Sequence, residues 1–168
     1  MANPIVSDLA MNAQALIPWE TIRKEFGDDG ELLDLLITGA GLHGWQRFLA
    51  FGKSAELDMH FFVDCVEVSI PNSVEDIFAL YPEKVARLSF FHLDGLCLDS
   101  NFFSQEMVDV AIPVNGMSED RFTILLEFMA ALGLELGKDV TLNHDCQRDT
   151  PFLRYSCATR DFKYTPSS

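Results

Sequence analysis

The sequence predicts an α+β fold with a mainly antiparallel sheet, and two observations support this prediction. Extended apolar runs fill the middle of the chain, where an Asp94-Gly95 dipeptide separates residues 88–93 from residues 96–103. A long helical pattern follows over about residues 119–136, before further short strand-like segments. Short helices followed by strands, with one long helix among them, are typical of α+β proteins. The chain length of 168 residues fits a single domain over residues 1–168.

The first part of the chain predicts short helices behind a loose arm. Residues 1–17 have weak patterning and are predicted to form the arm. Residues 19–26 predict one short helix. Asp28-Asp29 then offers an N-cap for a second helix over residues 31–37, since acids near a helix start favour the helix dipole.

The patterning changes from helical to extended after this region. Apolar side chains spaced i, i+3 and i+4 after Gly44 predict a third short helix. Residues 59–70 are rich in Phe and Val and predict a strand or a bent pair of strands. Ser73 is predicted to cap a short helix that Pro82 ends or kinks.

The second half predicts a strand meander and one buried helix. Asp94-Gly95 between apolar runs indicates a type I′ hairpin turn. Residues 108–114 predict the next strand, with Pro113 at its end or at a sheet edge. Ser118 is predicted to cap the long helix. The remaining predictions are strands over residues 140–144, 152–157 and 162–164, and a tail over residues 165–168.

The charge is strongly negative and unevenly distributed. The formal net charge is −14, and thirteen acids but only two cations lie between Ser54 and Asp120 inclusive. This acidity argues against nucleic acid and anionic membranes as partners, because both require cations on the protein. The N-terminus carries no export signal and no apolar run is long enough to span a membrane, so we expect a cytoplasmic protein.

No motif predicts a catalytic, cofactor or metal site. The glycine-rich stretch over residues 39–44 follows a helical pattern, and it lacks the lysine of a phosphate loop. No two histidines lie within four residues of each other, and no Cys-x-x-Cys pair occurs. Cys65 and Cys97 lie in apolar runs, where thiols behave as small hydrophobes. We therefore expect a non-enzymatic protein without cofactors.

Two segments carry a resemblance to a known class of proteins. HLDGLCLDSNFFSQE (residues 92–106) and FMAALGLELGKDVTL (residues 128–142) resemble small acidic bacterial proteins, some of which serve as immunity partners of polymorphic toxins. The resemblance covers roughly residues 85–155 and rests on core residues and turns. It implies a similar fold, and it supplies no catalytic residues.

The leading functional hypothesis is an acidic protein-binding module, and its most concrete form is an immunity-type inhibitor that occludes a basic toxin or nuclease. Acids gathered on one exposed sheet face would attract the partner, and apolar anchors would supply most of the affinity. The predicted partner-binding residues are Asp64, Glu67, Asp94, Asp99, Phe102, Phe103, Glu106 and Asp109.

Two alternatives stay open at this point. The first is a small-molecule-binding or enzymatic domain, in which a pocket between helix and sheet brings His92, His144 or a thiol close to carboxylates. The second is a structural or oligomerisation module that forms a homodimer through an exposed apolar patch.

Overall fold

The computed structural model describes residues 4–27, 31–55, 57–92, 96–145 and 147–167, although for residues 4–6, 91, 92 and 96 it describes the backbone alone. Its helices are α1 (Pro4–Leu16), α2 (Trp19–Ile22), α3 (Gly41–Ser54), α4 (Val74–Phe78) and α5 (Glu119–Leu136), with a 3₁₀ helix over Arg23–Glu25. The strands are β1 (Leu32–Thr38), β2 (Asp58–Val63), β3 (Val66–Val68), β4 (Ala86–His92), β5 (Leu96–Asn101), β6 (Met107–Pro113), β7 (Val140–His144), β8 (Leu153–Ser156) and β9 (Asp161–Tyr164). The predicted α+β class is confirmed.

All nine strands form one antiparallel sheet in the order β3-β2-β4-β5-β6-β1-β7-β8-β9. Burial alternates along β6, where Val108, Val110 and Ile112 are fully buried and the residues between them are half-buried. The buried set joins side chains of α1, α3 and α5 in one apolar core. The described helices therefore pack on one face of the sheet; we call the opposite face, which carries none of them, the open face, although near β1 its side chains are buried.

The prediction of a helix over residues 31–37 is wrong, because this segment is the central strand β1, between β6 and β7. Its run of leucines fits a helical stripe, but a strand buried on both faces has the same nearly continuous apolar sequence. Leu35 faces the helices, while Leu36 faces the opposite side and is still only 2% exposed. Burial on both faces therefore explains the pattern.

The loose arm predicted over residues 1–17 is also wrong for the described part, since α1 lies against α5. Ala10 and Ala13 of α1 are buried. Their side chains are small, so the two helices can approach each other closely. Thr123 Oγ1 donates a hydrogen bond of 3.0 Å to Gln14 Oε1 across the same contact. The N-cap expected at Asp28-Asp29 lies outside the described residues.

Several local predictions are confirmed. Ser73 Oγ accepts a hydrogen bond from Asp76 N, and Ser118 Oγ accepts one from Arg121 N, so both serines cap their helices. Pro113 ends β6, but β6 lies inside the sheet, so the edge alternative is wrong. No helix of the described residues is long and apolar enough to cross a membrane.

The bent pair predicted over residues 59–70 is the β2–β3 hairpin. Its two central turn residues, Asp64 and Cys65, have φ of 48° and 67°, which fits the type I′ twist of two-residue hairpins. Cys65 is exposed in this turn, so its predicted place in an apolar strand is wrong. The Asp94-Gly95 turn lies outside the described residues, although β4 and β5 on either side of it pair as predicted.

Gly133 in α5 marks a close approach of this helix to the sheet. A Cβ atom at this position would lie 2.6 Å from Cδ1 of the fully buried Tyr155 and 3.0 Å from the carbonyl oxygen of Lys138. Tyr155 is on β8, so the absence of a side chain at Gly133 allows α5 to pack closely against the sheet.

We expect Gly133→Ala to lower the free energy of unfolding by about 1–3 kcal/mol through overpacking. Helix propensity alone predicts a gain of about 1 kcal/mol, so the sign separates the two effects. Urea unfolding followed by circular dichroism measures it. Gly52→Ala is the control, because its new Cβ meets only the flexible Met59 side chain and should cost less.

Candidate functional site

The open face of the sheet is the main candidate surface, and the strand register fixes which side chains share it. Antiparallel partners directly opposite each other point to the same face. On the β3–β6 half, the face carries Glu67, Asp58, His60, Phe62, Arg87, Ser89, Cys97, Asp99, Asn101, Asp109 and Ala111.

The structure brings most of the predicted partner-binding residues to this face or its end. Glu67, Asp99 and Asp109 lie on the face itself. Asp64 occupies the β2–β3 turn, and Glu106 lies in the connection between β5 and β6. Asp94 lies outside the described residues.

Phe102 was predicted as an exposed anchor, and the structure contradicts this. It is 3% exposed because strand alternation turns it towards the helices, where its ring centroid lies 4.6 Å from that of Trp45. Phe103 is the next residue and points the other way, with 58% of its surface exposed. Only Phe103 is placed to contact a partner.

Val85 and Phe103 extend the open face at the end that holds Asp64. Continued by two residues beyond β4 and β5, the register that pairs Arg87 with Asn101 sets Val85 opposite Phe103. Val85 N donates to Asp64 Oδ1 at 3.0 Å, so the Asp64 carboxylate lies beside Val85. Val85 is 51% exposed.

We call this area the acidic patch: the apolar side chains Phe62, Val85 and Phe103, with the carboxylates Asp58, Asp64, Glu67, Asp99 and Glu106. Sequence reasoning missed Phe62, Val85 and Asp58. Alternation along the strand back from Asp64 places Phe62 and Asp58 on the same face, so the sequence contained the signal for these two residues. The predicted strand boundaries were too coarse to use it.

Cations within the chain neutralise part of the open face. Arg87 Nε lies 3.8 Å from Asp99 Oδ1, which also accepts a 2.5 Å hydrogen bond from Ser89 Oγ. Arg148 Nη2 lies 2.8 Å from Asp109 Oδ2. Asp99 and Asp109 are therefore paired within the protein, and their charges are less available to a partner than the sequence suggested.

His60 adds a charge that depends on pH. Its Nδ1 lies 2.7 Å from Glu67 Oε1, and its Nε2 lies 3.2 Å from Asp58 Oδ1. The hydrogen bond with Glu67 is the main reason that the pKa of His60 is raised. Protonation of His60 reduces the net negative charge of the acidic patch as the pH falls.

A second polar cluster surrounds Glu25, which is 5% exposed in the 3₁₀ helix. Its carboxylate accepts hydrogen bonds from Tyr164 OH at 2.9 Å, from Ser167 N at 3.2 Å and from Ser167 Oγ, and it lies 2.8 Å from His144 Nε2. Burial raises the pKa of Glu25, but the hydrogen bonds together lower it by more, so that the pKa falls from 4.5 to about 2. The cluster ties the C-terminal segment, predicted as a tail, to the N-terminal helices.

This cluster predicts acid sensitivity. The folded-state pKa of Glu25 is depressed from 4.5 to about 2, so its stabilisation is present above pH 4.5 and is lost as the pH falls towards 2. The amount is on the order of 3 kcal/mol. Urea unfolding between pH 2 and 5 should show this loss in the wild type. The slope should be clearly smaller in Glu25→Gln, and an unchanged slope in that variant would contradict the assignment.

The other candidates for chemistry are weak. Burial raises the pKa of the Cys97 thiol, which opposes a nucleophilic role. Among the described residues, no group of three His, Cys, Asp or Glu side chains is placed to hold a metal ion. A shallow depression of about 340 Å³ overlaps the acidic patch and is lined by His60, Phe62, Arg87, Ser89, Cys97 and Asp99. Another, of about 430 Å³, is lined by Asp139, Arg154, Ser156, Asp161, Phe162 and Lys163.

The enzymatic alternative predicted a pocket in which His92, His144 or a thiol lies close to carboxylates. His144 does meet a carboxylate, but Tyr164 and Ser167 occupy the remaining acceptor sites of Glu25. The side chain of His92 lies outside the described residues. Comparison with protein-family models, curated proteins and solved structures gave no match.

The adjacent phenylalanines give a direct test of the face assignment. Phe102→Ala should lower the free energy of unfolding by about 3–5 kcal/mol, since it removes a buried ring. Phe103→Ala should change it by no more than about 0.5 kcal/mol, because the ring is exposed. Urea unfolding of both variants measures this. Similar losses in the two variants would contradict the strand register.

Proposed function

We propose that this protein binds a basic protein partner through the acidic patch. The observation that carries the proposal is the exposed apolar pair Val85 and Phe103, which lies on a sheet end flanked by carboxylates. Exposed apolar side chains surrounded by charge are typical of interaction sites, where the apolar centre supplies affinity and the polar rim excludes water.

The charges of the acidic patch favour a cationic partner. Asp64 and Glu106 lie at its end, and Glu67 and Asp58 border it along β3 and β2. Side-chain exposure of Asp58 and Glu67 is 74% and 58%, so both can contact a partner directly. Carboxylates of this kind steer a basic surface into an encounter and disfavour anionic competitors.

The more specific form of the proposal is an immunity-type inhibitor of a basic toxin or nuclease. It is supported by the resemblance carried by residues 92–106 and 128–142. In this mechanism the patch covers the surface of the partner that otherwise binds a polyanion, and Phe103 inserts as the apolar anchor. Inhibition then needs no chemistry by this protein.

Photocross-linking tests the surface. A benzophenone amino acid replaces Phe103 in the full chain, and the same amino acid replaces Met11 of α1, which is 64% exposed, as the control. In cells of the source organism, we expect a basic protein to be captured at position 103 and not at position 11. Equal capture at both positions, or capture of acidic proteins alone, would overturn the proposal.

Charge reversal tests the electrostatic mechanism with the captured protein. Glu67→Lys and Glu106→Lys should each slow association roughly tenfold at low salt, and added salt should weaken binding of the wild type. Asp8→Lys on α1 changes the net charge equally and should have little effect, since it lies outside the patch. Stopped-flow kinetics measures all three variants. A rate that follows net charge alone would count against the patch.

A further inference from the structure

Asp34 is a buried acid at the centre of the sheet. It lies on β1 and faces the open side, yet it is only 8% exposed. Its neighbours in register are Ala111 on β6 and Asn143 on β7. The segment between β7 and β8 returns towards this point and brings Arg148 to it.

Asn143 is fully buried and holds this segment in place. Its Nδ2 donates to the carbonyl oxygens of Gln147, at 3.1 Å, and Arg148, at 3.0 Å. The two bonds use both hydrogens of the amide and fix its orientation. The Oδ1 atom of Asn143 then has no hydrogen-bond donor among the described residues.

Asp34 Oδ2 also lacks a hydrogen-bond donor within the described part of the chain. Its nearest cationic group is Arg148 Nε at 3.9 Å, which is beyond hydrogen-bond distance. Arg148 gives its short contact to Asp109 instead, at 2.8 Å. Asp34 Oδ2 and Asn143 Oδ1 are thus two buried acceptors at paired positions on neighbouring strands. They can form a hydrogen bond with each other only if one of them carries a proton.

We infer that Asp34 and Asn143 form a proton-binding site, in which the carboxyl group of Asp34 is protonated on Oδ2 and donates to Asn143 Oδ1. One proton satisfies both acceptors and removes a buried charge. It leaves Asp109 as the carboxylate that pairs with Arg148.

The electrostatics of the site agree with this inference. Burial is the main cause that raises the pKa of Asp34 to about 6, the charges of Asp109 and Asp145 raise it further, and Arg148 lowers it. Burial also raises the pKa of Asp109, which Arg148 opposes. The charged groups that face Asp34 are thus Asp109 on β6 and Arg148 and Asp145 in the β7–β8 segment. Asn143, its neighbour on β7, is neutral.

Proton release changes the surroundings. Ionisation of Asp34 places a second carboxylate beside the single guanidinium of Arg148, and it leaves Asn143 Oδ1 facing a negative charge. We expect the hydrogen bonds from Asn143 to Gln147 and Arg148 to weaken, so that the β7–β8 segment loosens above about pH 6. This inference does not depend on the proposed function.

Carbon-13 NMR of the Asp34 carboxyl group in the full-length protein tests the site directly. We expect a titration midpoint near 6, against about 3.9 for an ordinary aspartate. Asn143→Ala removes the acceptor and should lower the midpoint. A wild-type midpoint near 4 would overturn the inference, because a bound water or cation would then be the missing partner of the two oxygens.

Stability provides the second test. The folded protein holds the proton between the unfolded-state pKa of 3.8 and the folded-state pKa of about 6, so this group makes stability decrease as the pH rises through that window. The folding equilibrium constant should fall by up to about tenfold per pH unit between pH 4.5 and 6. This range lies above the transition expected for Glu25.

Asp34→Asn should greatly reduce that fall, because the amide does not titrate and donates to Asn143 Oδ1, which leaves only the smaller contribution of groups such as Asp109. Asp120→Asn is the control and should keep the wild-type slope, since Asp120 is an exposed acid in the first turn of α5 and lies outside this site. Equal slopes in the wild type and Asp34→Asn would overturn the inference even if Asn143→Ala fails to fold.

Discussion

Burial of one face of the nine-stranded sheet against α1, α3 and α5 is the constraint on which the rest of the structure depends. Alternate residues of each strand must be apolar to fill the core, and the residues between them necessarily point to the other side. Rings from both layers interlock in this core, as Phe128 of α5 does with Phe90 of β4. The core therefore determines which side chains can form a functional surface.

The open face follows from this constraint and divides into two regions. Near β1 and β6 it is closed by the β7–β8 segment, and Arg148 neutralises the acids beneath. Towards β2 to β5 the carboxylates border the exposed side chains of Val85 and Phe103, while the Arg87 guanidinium lies over the Phe62 ring. Internal ion pairs thus remove much of the charge excess from the centre of the sheet, and the acids available to a partner lie at the end that holds Asp64 and along β2 and β3. Proximity of acids in sequence was a good guide to this region, but it could not show which of them are already paired.

Local signals in the sequence predicted the elements that depend on local physics. Helix caps at Ser73 and Ser118, the buried stripe of α5 and the meander of β4 to β6 all follow from spacing within a few residues. The failures required long-range information. The strand β1 has a helix-like sequence because both of its faces are covered by distant segments. Phe102 and Phe103 cannot be told apart until the strand register is known, and the pairing of Asp109 with Arg148 joins residues 39 positions apart.

The same central position explains why an acid at residue 34 has unusual properties. Strands at the edge of a sheet can expose a carboxylate on the open face, but β1 has five strands on one side and three on the other. Leu36, two residues from Asp34 on the same face, is almost fully buried, and the segment that carries Arg148 returns over this part of the sheet. Desolvation there disfavours the charged form, and the single nearby guanidinium is shared with Asp109. A buried polar group persists only where its hydrogen bonds are satisfied, and Asn143 on the adjacent strand provides an acceptor that becomes useful when Asp34 is protonated. The sheet centre thus favours a neutral carboxyl group at Asp34, whereas the acids of the acidic patch such as Asp58 and Glu67 are exposed to solvent, so one fold places a buried acid and exposed acids on a single face.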